Sequence, residues 1–445
     1  MVISVFVVGL LAALDGASPD AGLAPPAEGA PTVTIRGAAE AELALLPSGF
    51  GENGADFFLT VRPVAGFGVS DVFSIELGPT FRLRVIDSPP DNRSSDYGGV
   101  LRRADWDQLS DFGQILQSLK IGADSGPFTV RAGPIFKKTL GLGHLLSRYS
   151  NQENLDYHPA AGDAVLSVGP IRAEFFASDI LGGRIFAGDL GWDLGRTFSG
   201  NPELQDRFIL ALELAHDFAR AGLAFRPDPA QSRVELPQVT LLQLDASAVV
   251  VRTKSIRVLV EGGVGSRSND EADVGFVGGG AMDANVGDIG FSLKLELRKQ
   301  SGGYRQGFFG PTYELSRFAD YGFSGPAIGA SSLPNTWSDY GELRFGVGTL
   351  VSFDFAAEHF FFGRTDLDAT LDVVLLKSWL LGQARFSLVG LGVEPRASLS
   401  ASLKLRLFAS FYLLGAGGTV FVPQPDGTLL RSFTASAGVG VDFER

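Results

Sequence analysis

Long runs in this sequence alternate apolar and polar residues at every second position. From Asp288 to Lys299, the apolar side chains at odd positions 289 to 297 alternate with glycine or with polar or charged side chains at the even positions. The runs Asp71–Val85 and Thr428–Phe443 follow the same alternation, with Asp71 and Arg431 as the exceptions at odd positions. Because successive side chains of a β-strand point to opposite faces, each run predicts a strand with one apolar and one polar face.

The length of these runs separates two kinds of β-protein. Strands of a soluble β-sandwich usually have about five or six residues. A tilted strand that crosses the hydrocarbon of a membrane needs about 9–11 residues, and the runs here reach or exceed that length. The sequence therefore predicts an all-β fold, a transmembrane antiparallel up-and-down β-barrel of about 18 strands, within a range of roughly 16 to 20.

The last eight residues of the final run carry a recognisable motif. Ser436 is polar, Gly438 follows two positions later, and the apolar Val441 and the aromatic Phe443 come next, one residue apart. This motif resembles the C-terminal insertion signal of bacterial outer-membrane β-barrels. The resemblance implies the outer membrane of a Gram-negative bacterium, surroundings of lipid and lipopolysaccharide, and recognition of this strand by the barrel-assembly machinery.

Composition excludes several classes of function. The chain has no cysteine, so neither a disulfide framework nor a thiolate metal site can form. Its net charge of −13 argues against a nucleic-acid partner. Its four histidines lie in no recognisable pattern with a serine. We therefore predict neither catalysis, nor a cofactor, nor a metal ion; the acidic turn Ser268–Asp273 is interpreted as solvated rather than as a calcium site.

The organisation of the chain follows from its apolar start and from the alternating body. Residues 1–24 are predicted to be a signal peptide, residues 25–31 a flexible periplasmic lead, and residues 32–445 the barrel. With the N-terminus in the periplasm, the long connections are predicted to lie outside the cell. These connections are Ile86–Phe112, Thr139–Asp163, Gly195–Asp206, Pro227–Pro237 and Lys299–Tyr340.

Several strands are predicted from alternation alone. Single strands are expected at Val165–Ala177, Glu342–Ala357 and Ala397–Phe411, and a further strand at Ala219–Arg226. Two short segments, Phe360–Gly363 and Thr419–Val422, are weak additional candidates.

Charged residues on the polar parity are expected to face the lumen, which in a barrel of this size is an aqueous channel. With two residues of the loop Thr139–Asp163, they are the candidates for contact with solute. These candidates are Arg148, Glu153, Arg82, Arg84, Arg131, Arg172, Glu174, Lys294, Glu296, Arg298, Arg344, Asp354, Lys404 and Arg406. For any single residue, solvation of the lumen or a cross-strand ion pair is the better explanation, and the channel interpretation gains weight only from the whole set.

The third outside loop, Thr139–Asp163, which comes after the short connection between the first two strands and the loop Ile86–Phe112, has an unusual composition. Its segment Gly141–Tyr149 is too apolar for a freely solvated loop. We weigh two interpretations equally: the loop folds into the lumen, as the third loop of general porins does, or it caps the barrel and contacts a neighbour.

The sequence thus favours a passive or weakly selective channel for small polar solutes. Two alternatives stay open: a surface adhesion or scaffold barrel that conducts nothing, and a transporter of hydrophobic solutes. A homo-oligomer is compatible with the channel and with both alternatives.

Overall fold

The computed structural model describes residues 32–47, 55–87, 100–219, 236–268, 273–376, 379–408, 410–424 and 426–444. The predicted signal peptide and lead lie outside the described residues. So do nearly all of the predicted strand Ala219–Arg226, most of the predicted loop Pro227–Pro237 and the centre of the acidic turn Ser268–Asp273.

The described residues form 21 β-segments and a few short helices. The segments are β1 Val33–Pro47, β2 Ala55–Val69, β3 Phe73–Leu77, β4 Phe81–Ile86, β5 Leu116–Ile121, β6 Phe128–Gly133, β7 Ala161–Val168, β8 Ile171–Ala177, β9 Ile185–Asp193, β10 Phe208–Asp217, β11 Val239–Arg252, β12 Ile256–Arg267, β13 Val274–Val286, β14 Ile289–Gly302, β15 Leu333–Val347, β16 Val351–Phe360, β17 Thr365–Leu375, β18 Leu380–Leu391, β19 Arg396–Arg406, β20 Phe411–Pro423 and β21 Leu429–Glu444. The helices are α1 Leu194–Phe198 and α2 Tyr313–Ser316, with 3₁₀ turns at Arg103–Asp105, Leu109–Ile115 and Pro202–Leu204.

All pairings between these segments are antiparallel, and β1 pairs with β21 to close the sheet. The segments β3 and β4 are two pieces of one barrel strand, because both pair with β2, at Ala65–Val69 and at Phe57–Val61 respectively. The barrel therefore has 20 strands. The predicted all-β barrel is confirmed, and its strand number lies at the upper limit of the predicted range.

The alternation of the sequence becomes an apolar exterior and a polar interior. On β14, Leu295 is 57% exposed on the outer surface, whereas the next residue, Glu296, is 5% exposed and points inward. Large apolar side chains such as Phe276 and Leu403 are exposed on the outside in the same way. An exterior of this kind suits hydrocarbon rather than water.

Three predicted single strands are wrong, because each contains a tight turn. Val165–Ala177 is the hairpin β7–β8, which turns at Gly169 with φ +58°. Glu342–Ala357 covers parts of β15 and β16, which turn at Gly348 with φ +50°. Ala397–Phe411 runs through the turn between β19 and β20.

Register explains why alternation does not reveal these turns. In the β15–β16 hairpin, Arg344 pairs with Asp354, so even positions face inward on both sides of the turn. Alternation thus continues through the turn without a break. The two weak candidates also differ: Thr419–Val422 belongs to β20, and Phe360–Gly363 contains only the last residue of β16.

Because of the turn at Gly169, one predicted outside loop lies at the other end of the barrel. The connection Gly195–Asp206 lies at the end of the barrel that holds Val33 and Glu444, which we call the termini end, and not at the opposite end. An overlooked hairpin reverses the predicted direction of every later strand until an additional strand restores it. In the predicted order, the strand at Ala219–Arg226 restores the direction, so the loop Lys299–Tyr340 is placed at the correct end.

The wall near β5 and β6 is partly built without strands. These two segments have six residues each, fewer than a crossing strand needs. Residues 100–115, which we call L2, complete the wall at the end opposite the termini: Arg84 N donates to the Val100 carbonyl and Arg102 N to the Arg82 carbonyl. Among the described residues, no helix has the length and hydropathy needed to cross a membrane.

Candidate functional site

The lumen has two differently filled halves. At the termini end, charged wall residues stay solvated: the side chains of Arg172, Arg344 and Arg257 are 61%, 54% and 47% exposed. Toward the opposite end, inward-facing charges such as Arg298 and Glu213 are fully buried. Two long connections fill that half: L3, residues 134–160 between β6 and β7, and L7, residues 303–332 between β14 and β15.

L3 and L7 are joined to each other by backbone hydrogen bonds. Ser147 N donates to the Phe309 carbonyl at 3.1 Å, and Phe309 N donates to the Leu145 carbonyl at 3.0 Å. Two residues earlier in L7, Gly307 N donates to the His144 carbonyl at 2.7 Å. The backbone groups that a loop inside a barrel would otherwise leave unsatisfied are paired in this way.

An apolar core holds the two loops together. The side chains of Leu145, Leu146 and Tyr149 from L3 are completely buried and pack with Phe308 and Phe309 from L7. The apolar segment Gly141–Tyr149, whose composition does not suit a solvated loop, therefore lies inside the lumen and packs against L7. Burial of each large side chain contributes about 1.5–3 kcal/mol.

The tip of L3 is fixed to the wall by charge. His144 Nδ1 lies 2.8 Å from Asp245 Oδ1 on β11, and His144 Nε2 lies 3.0 Å from Glu296 Oε1 on β14. Burial opposes protonation of the imidazole, but these two hydrogen bonds outweigh it and raise the pKa of His144 to about 9. The imidazole is therefore cationic at neutral pH and bridges two strands.

Other charged residues of L3 reach the far side of the barrel. Arg148 forms an ion pair with Asp368 on β17, and Glu153 with Arg385 on β18. Lys137 contacts Asp354 on β16. Because L3 starts from β6 and touches strands from β11 to β18, it crosses the lumen.

L7 has its own ionic anchors. Asp320 accepts hydrogen bonds from Arg305 at 2.9 Å and from Arg364 at 3.0 Å. Burial alone would raise the pKa of Asp320, but the two guanidinium groups hold it well below its usual range. Near α2, Arg317 donates to Asp217 on β10 at 2.8 Å. L7 is thus pinned to opposite walls.

A cleft remains between L7 and strands β15 to β18. Its lining includes four arginines, several carboxylates and a group of aromatic side chains: Arg148, Arg298, Arg305, Arg364, Glu358, Asp320, Asp366, Asp368, Phe308, Tyr313, Tyr340 and Phe360. One guanidinium nitrogen of Arg148, Nη1, is buried without a hydrogen-bond partner. The cleft combines both signs of charge with apolar walls, so it can accept a small polar molecule.

One group of side chains has the composition of a metal site. Among the described residues, ligand atoms of His144, Glu261 and Glu296 lie within 4.8 Å of one another. The ammonium of Lys294 lies 2.5 Å from Glu296 Oε1 and 3.2 Å from Glu261 Oε1, and it also donates to the Leu142 carbonyl at 2.6 Å. Lys294 therefore supplies the positive charge that an ion would bring.

The charged residues that were predicted to contact solute lie in several different parts of the barrel. Those in contact with L3, L7 or the cleft are Arg148, Glu153, Glu174, Lys294, Glu296, Arg298 and Asp354. Arg82 and Arg84 pair with Asp105 and Asp56 in the wall next to L2. Arg131, Arg172 and Arg344 lie in the solvated half, and Lys404 and Arg406 pair with Asp442 beside the barrel seam.

Other residues of this region were not singled out from the sequence. Asp245 could have been found, because it follows the outward Leu244 and lies on the inward parity of β11. His144, Arg305 and Asp320 belong to loops, which follow no period, and no sequence signal marks them.

Comparisons with known proteins give remote structural matches. No protein-family model matches the chain, and no curated protein matches it. Among solved structures, it is similar to the outer-membrane protein OpdK of Pseudomonas aeruginosa, with 9% identity over 93% of this chain and 99% of that chain, and a TM-score of 0.35. A BenF-like porin of Pseudomonas fluorescens matches with 8% identity over 93% and 98% of the two chains, and a TM-score of 0.33.

Proposed function

We propose that the protein is an integral outer-membrane channel that passes small polar solutes, with L3 and L7 as its constriction. The observation that carries the proposal is a closed barrel with an apolar exterior and a charged interior, open at one end and narrowed by two inward loops. The termini end is then the periplasmic end, and the opposite end faces the outside.

Strand length and surface chemistry support the membrane location. Most strands have ten or more residues, for example 14 in β14 and 16 in β21, which is enough to cross hydrocarbon at a tilt. Their outward side chains are apolar along most of the barrel. Lipid and lipopolysaccharide would cover this surface, and the signal peptide at residues 1–24 remains a prediction in keeping with export.

The terminal strand supports a route of assembly. β21 pairs with β1 over Arg36–Leu45 and thereby closes the barrel. We infer that the barrel-assembly machinery recognises this strand before closure, as the motif from Ser436 to Phe443 implies. A chain lacking the aromatic side chain of Phe443, which is exposed on the outer surface, should then insert into membranes more slowly.

Conductance is the direct test of the channel. Refolded protein in planar bilayers should show discrete single-channel steps, and a barrel without conductance would favour the adhesion or scaffold alternative.

Deleting residues 141–151 should increase conductance, because this removes the part of L3 that crosses the lumen. Folding of the deletion variant is checked by the heat-dependent shift of its band in gel electrophoresis. Unchanged conductance in a folded deletion variant would show that L3 does not constrict the path.

Arg148 offers a narrower test within the same loop. Its side chain is buried beside the cleft and paired with Asp368. Arg148→Glu reverses one charge in a confined passage, where screening is weak, and should shift selectivity toward cations. The measurement is the reversal potential in a salt gradient, and an unchanged value would remove Arg148 from the solute path.

A further inference from the structure

Two carboxylates face each other across neighbouring strands below the tip of L3. Asp189 on β9 is the direct cross-strand partner of Glu213 on β10. Directly opposed side chains in an antiparallel sheet have Cβ atoms about 4.5–5.5 Å apart, and like charges in this arrangement are destabilising. This pair therefore costs stability unless something neutralises it.

A third carboxylate adjoins the pair. Glu213 is also the cross-strand partner of Gln243 on β11, which places Asp245, two residues further on and on the same face, diagonally opposite Glu213. We call Asp189, Glu213 and Asp245 the carboxylate triad. Asp245 Oδ1 is held by His144 and by Gln243 Nε2 at 2.6 Å, whereas its second oxygen has no hydrogen-bond partner.

The triad is buried and incompletely satisfied. Glu213 and Asp245 are 0% and 1% exposed, and Asp189 is 9% exposed. One carboxylate oxygen of each residue, Glu213 Oε2, Asp189 Oδ2 and Asp245 Oδ2, lacks a hydrogen-bond partner. Within the described part of the chain, no lysine, arginine or histidine nitrogen lies within 4.0 Å of the carboxylates of Asp189 and Glu213. Burying charge in this state is costly.

Neighbouring carboxylates on the lumen wall, unlike those of Asp189 and Glu213, form ion pairs with lysines. Glu174 on β8 is paired with Lys138 of L3, and Glu261 on β12 with Lys294 at 3.2 Å. Asp189 and Glu213 thus interrupt a wall on which the carboxylates to either side, Asp245 with His144 among them, have a resident cation. Its position is also specific: Gly141 of L3 lies against Glu213 and Asp189, and Leu142 N donates to Glu213 Oε1 at 3.2 Å.

The solvated half of the lumen reaches this position. On β8, Arg172 lies one inward-facing position closer to the termini end than Glu174, the cross-strand partner of Asp189, and its side chain is 61% exposed. A solute that enters from the termini end therefore reaches the edge of the triad at Asp189, where L3 begins to narrow the lumen.

We propose that the carboxylate triad is a subsite for a small cation on the solute path, beside the tip of L3. The inference rests on the proposed channel and adds the charge of the species that the channel favours. A passing cation supplies the positive charge that the sequence supplies elsewhere through Lys138 and Lys294, and the unpaired carboxylates of Asp189 and Glu213 attract it.

The test compares ion selectivity in variants of the full-length protein in planar bilayers. The double variant Asp189→Asn/Glu213→Gln keeps side-chain size and removes two charges. Its permeability ratio of K⁺ to Cl⁻, taken from the reversal potential in a KCl gradient, should fall about 10-fold. Asp283→Asn is the matched control: its carboxylate is 41% exposed, lies 3.9 Å from Arg257 and is far along the wall from L3. This variant should leave the ratio almost unchanged.

The outcomes separate this inference from the proposed channel. Absence of conductance in the wild type would overturn both. Conductance with the same K⁺ to Cl⁻ ratio in the wild type and the double variant would overturn the subsite alone, and would mean that protons rather than cations neutralise the triad. If the double variant does not fold, Asp189→Asn alone should still lower the ratio, and an unchanged ratio in that folded variant counts against the subsite.

Discussion

The two halves of the lumen carry similar side chains in opposite circumstances. In the half filled by L3 and L7, Asp320 is buried between Arg305 and Arg364. In the solvated half, Asp283 faces Arg257 at 3.9 Å, and both side chains are about half exposed. The same chemical pair is therefore a structural anchor in one half and a solvated wall charge in the other. The comparison teaches that charge on the lumen wall is not by itself a sign of contact with solute.

The largest effect is expected at the buried anchor. Asp320→Asn leaves Arg305 without its counter-charge and close to Arg364, which keeps only its ion pair with Asp366. Removing one partner of a buried ion pair typically costs about 3–5 kcal/mol. The free energy of unfolding in detergent, measured with urea, should fall by that amount, and protease should cut L7 more readily. A loss of under about 1 kcal/mol, the range of exposed ion pairs, would show that L7 is solvated and that the two halves do not differ.

A somewhat smaller effect is expected on the outer surface. Leu403 is 48% exposed on the outer face of β19, and an arginine placed there near the middle of a membrane costs about 2–4 kcal/mol. The matched control is Ser402→Arg, one residue away on the lumen side. Folding free energies in lipid vesicles provide the measurement. Equal costs at the two positions would mean that the faces of the barrel are wrongly assigned.

The next effect depends on pH and concerns His144 at the tip of L3. Burial lowers its pKa, but the hydrogen bonds to Asp245 and Glu296 outweigh burial and raise the pKa to about 9 in the folded protein. An unfolded histidine has a pKa of about 6.5. The folded state therefore holds an extra proton between these values. Its stabilising contribution is complete below about pH 6.5 and is lost as pH rises through about 9.

We expect the wild type to lose about 2–3 kcal/mol of unfolding free energy across that window relative to His144→Gln. Urea unfolding at several pH values between these limits measures the difference between the two proteins. A constant difference over the whole window would contradict the charged bridge at the tip of L3.

The barrel could be predicted from the sequence, and the filled half could not. Alternation follows from strand geometry and is local, so it revealed the faces of β14 and β21. It failed at the β15–β16 turn, where Arg344 pairs with Asp354 and the alternation continues unbroken. The apolar composition of L3 indicated burial, but its partners on L7 and on strands β11 to β18 are distant in sequence. No period or spacing connects His144 with Asp245 and Glu296.

The smallest effect is expected in the solvated half, and it tests the comparison from the other side. Exposed ion pairs contribute little, because water and salt screen them and two long side chains must be ordered. A double-mutant cycle on Arg257→Gln and Asp283→Asn should give a coupling energy below about 0.5 kcal/mol. The same cycle on Arg305→Gln and Asp320→Asn should give a coupling several times larger. If the two couplings were equal, burial by L3 and L7 would not be what distinguishes the halves, and these loops would have to be considered mobile lids over one continuous aqueous lumen.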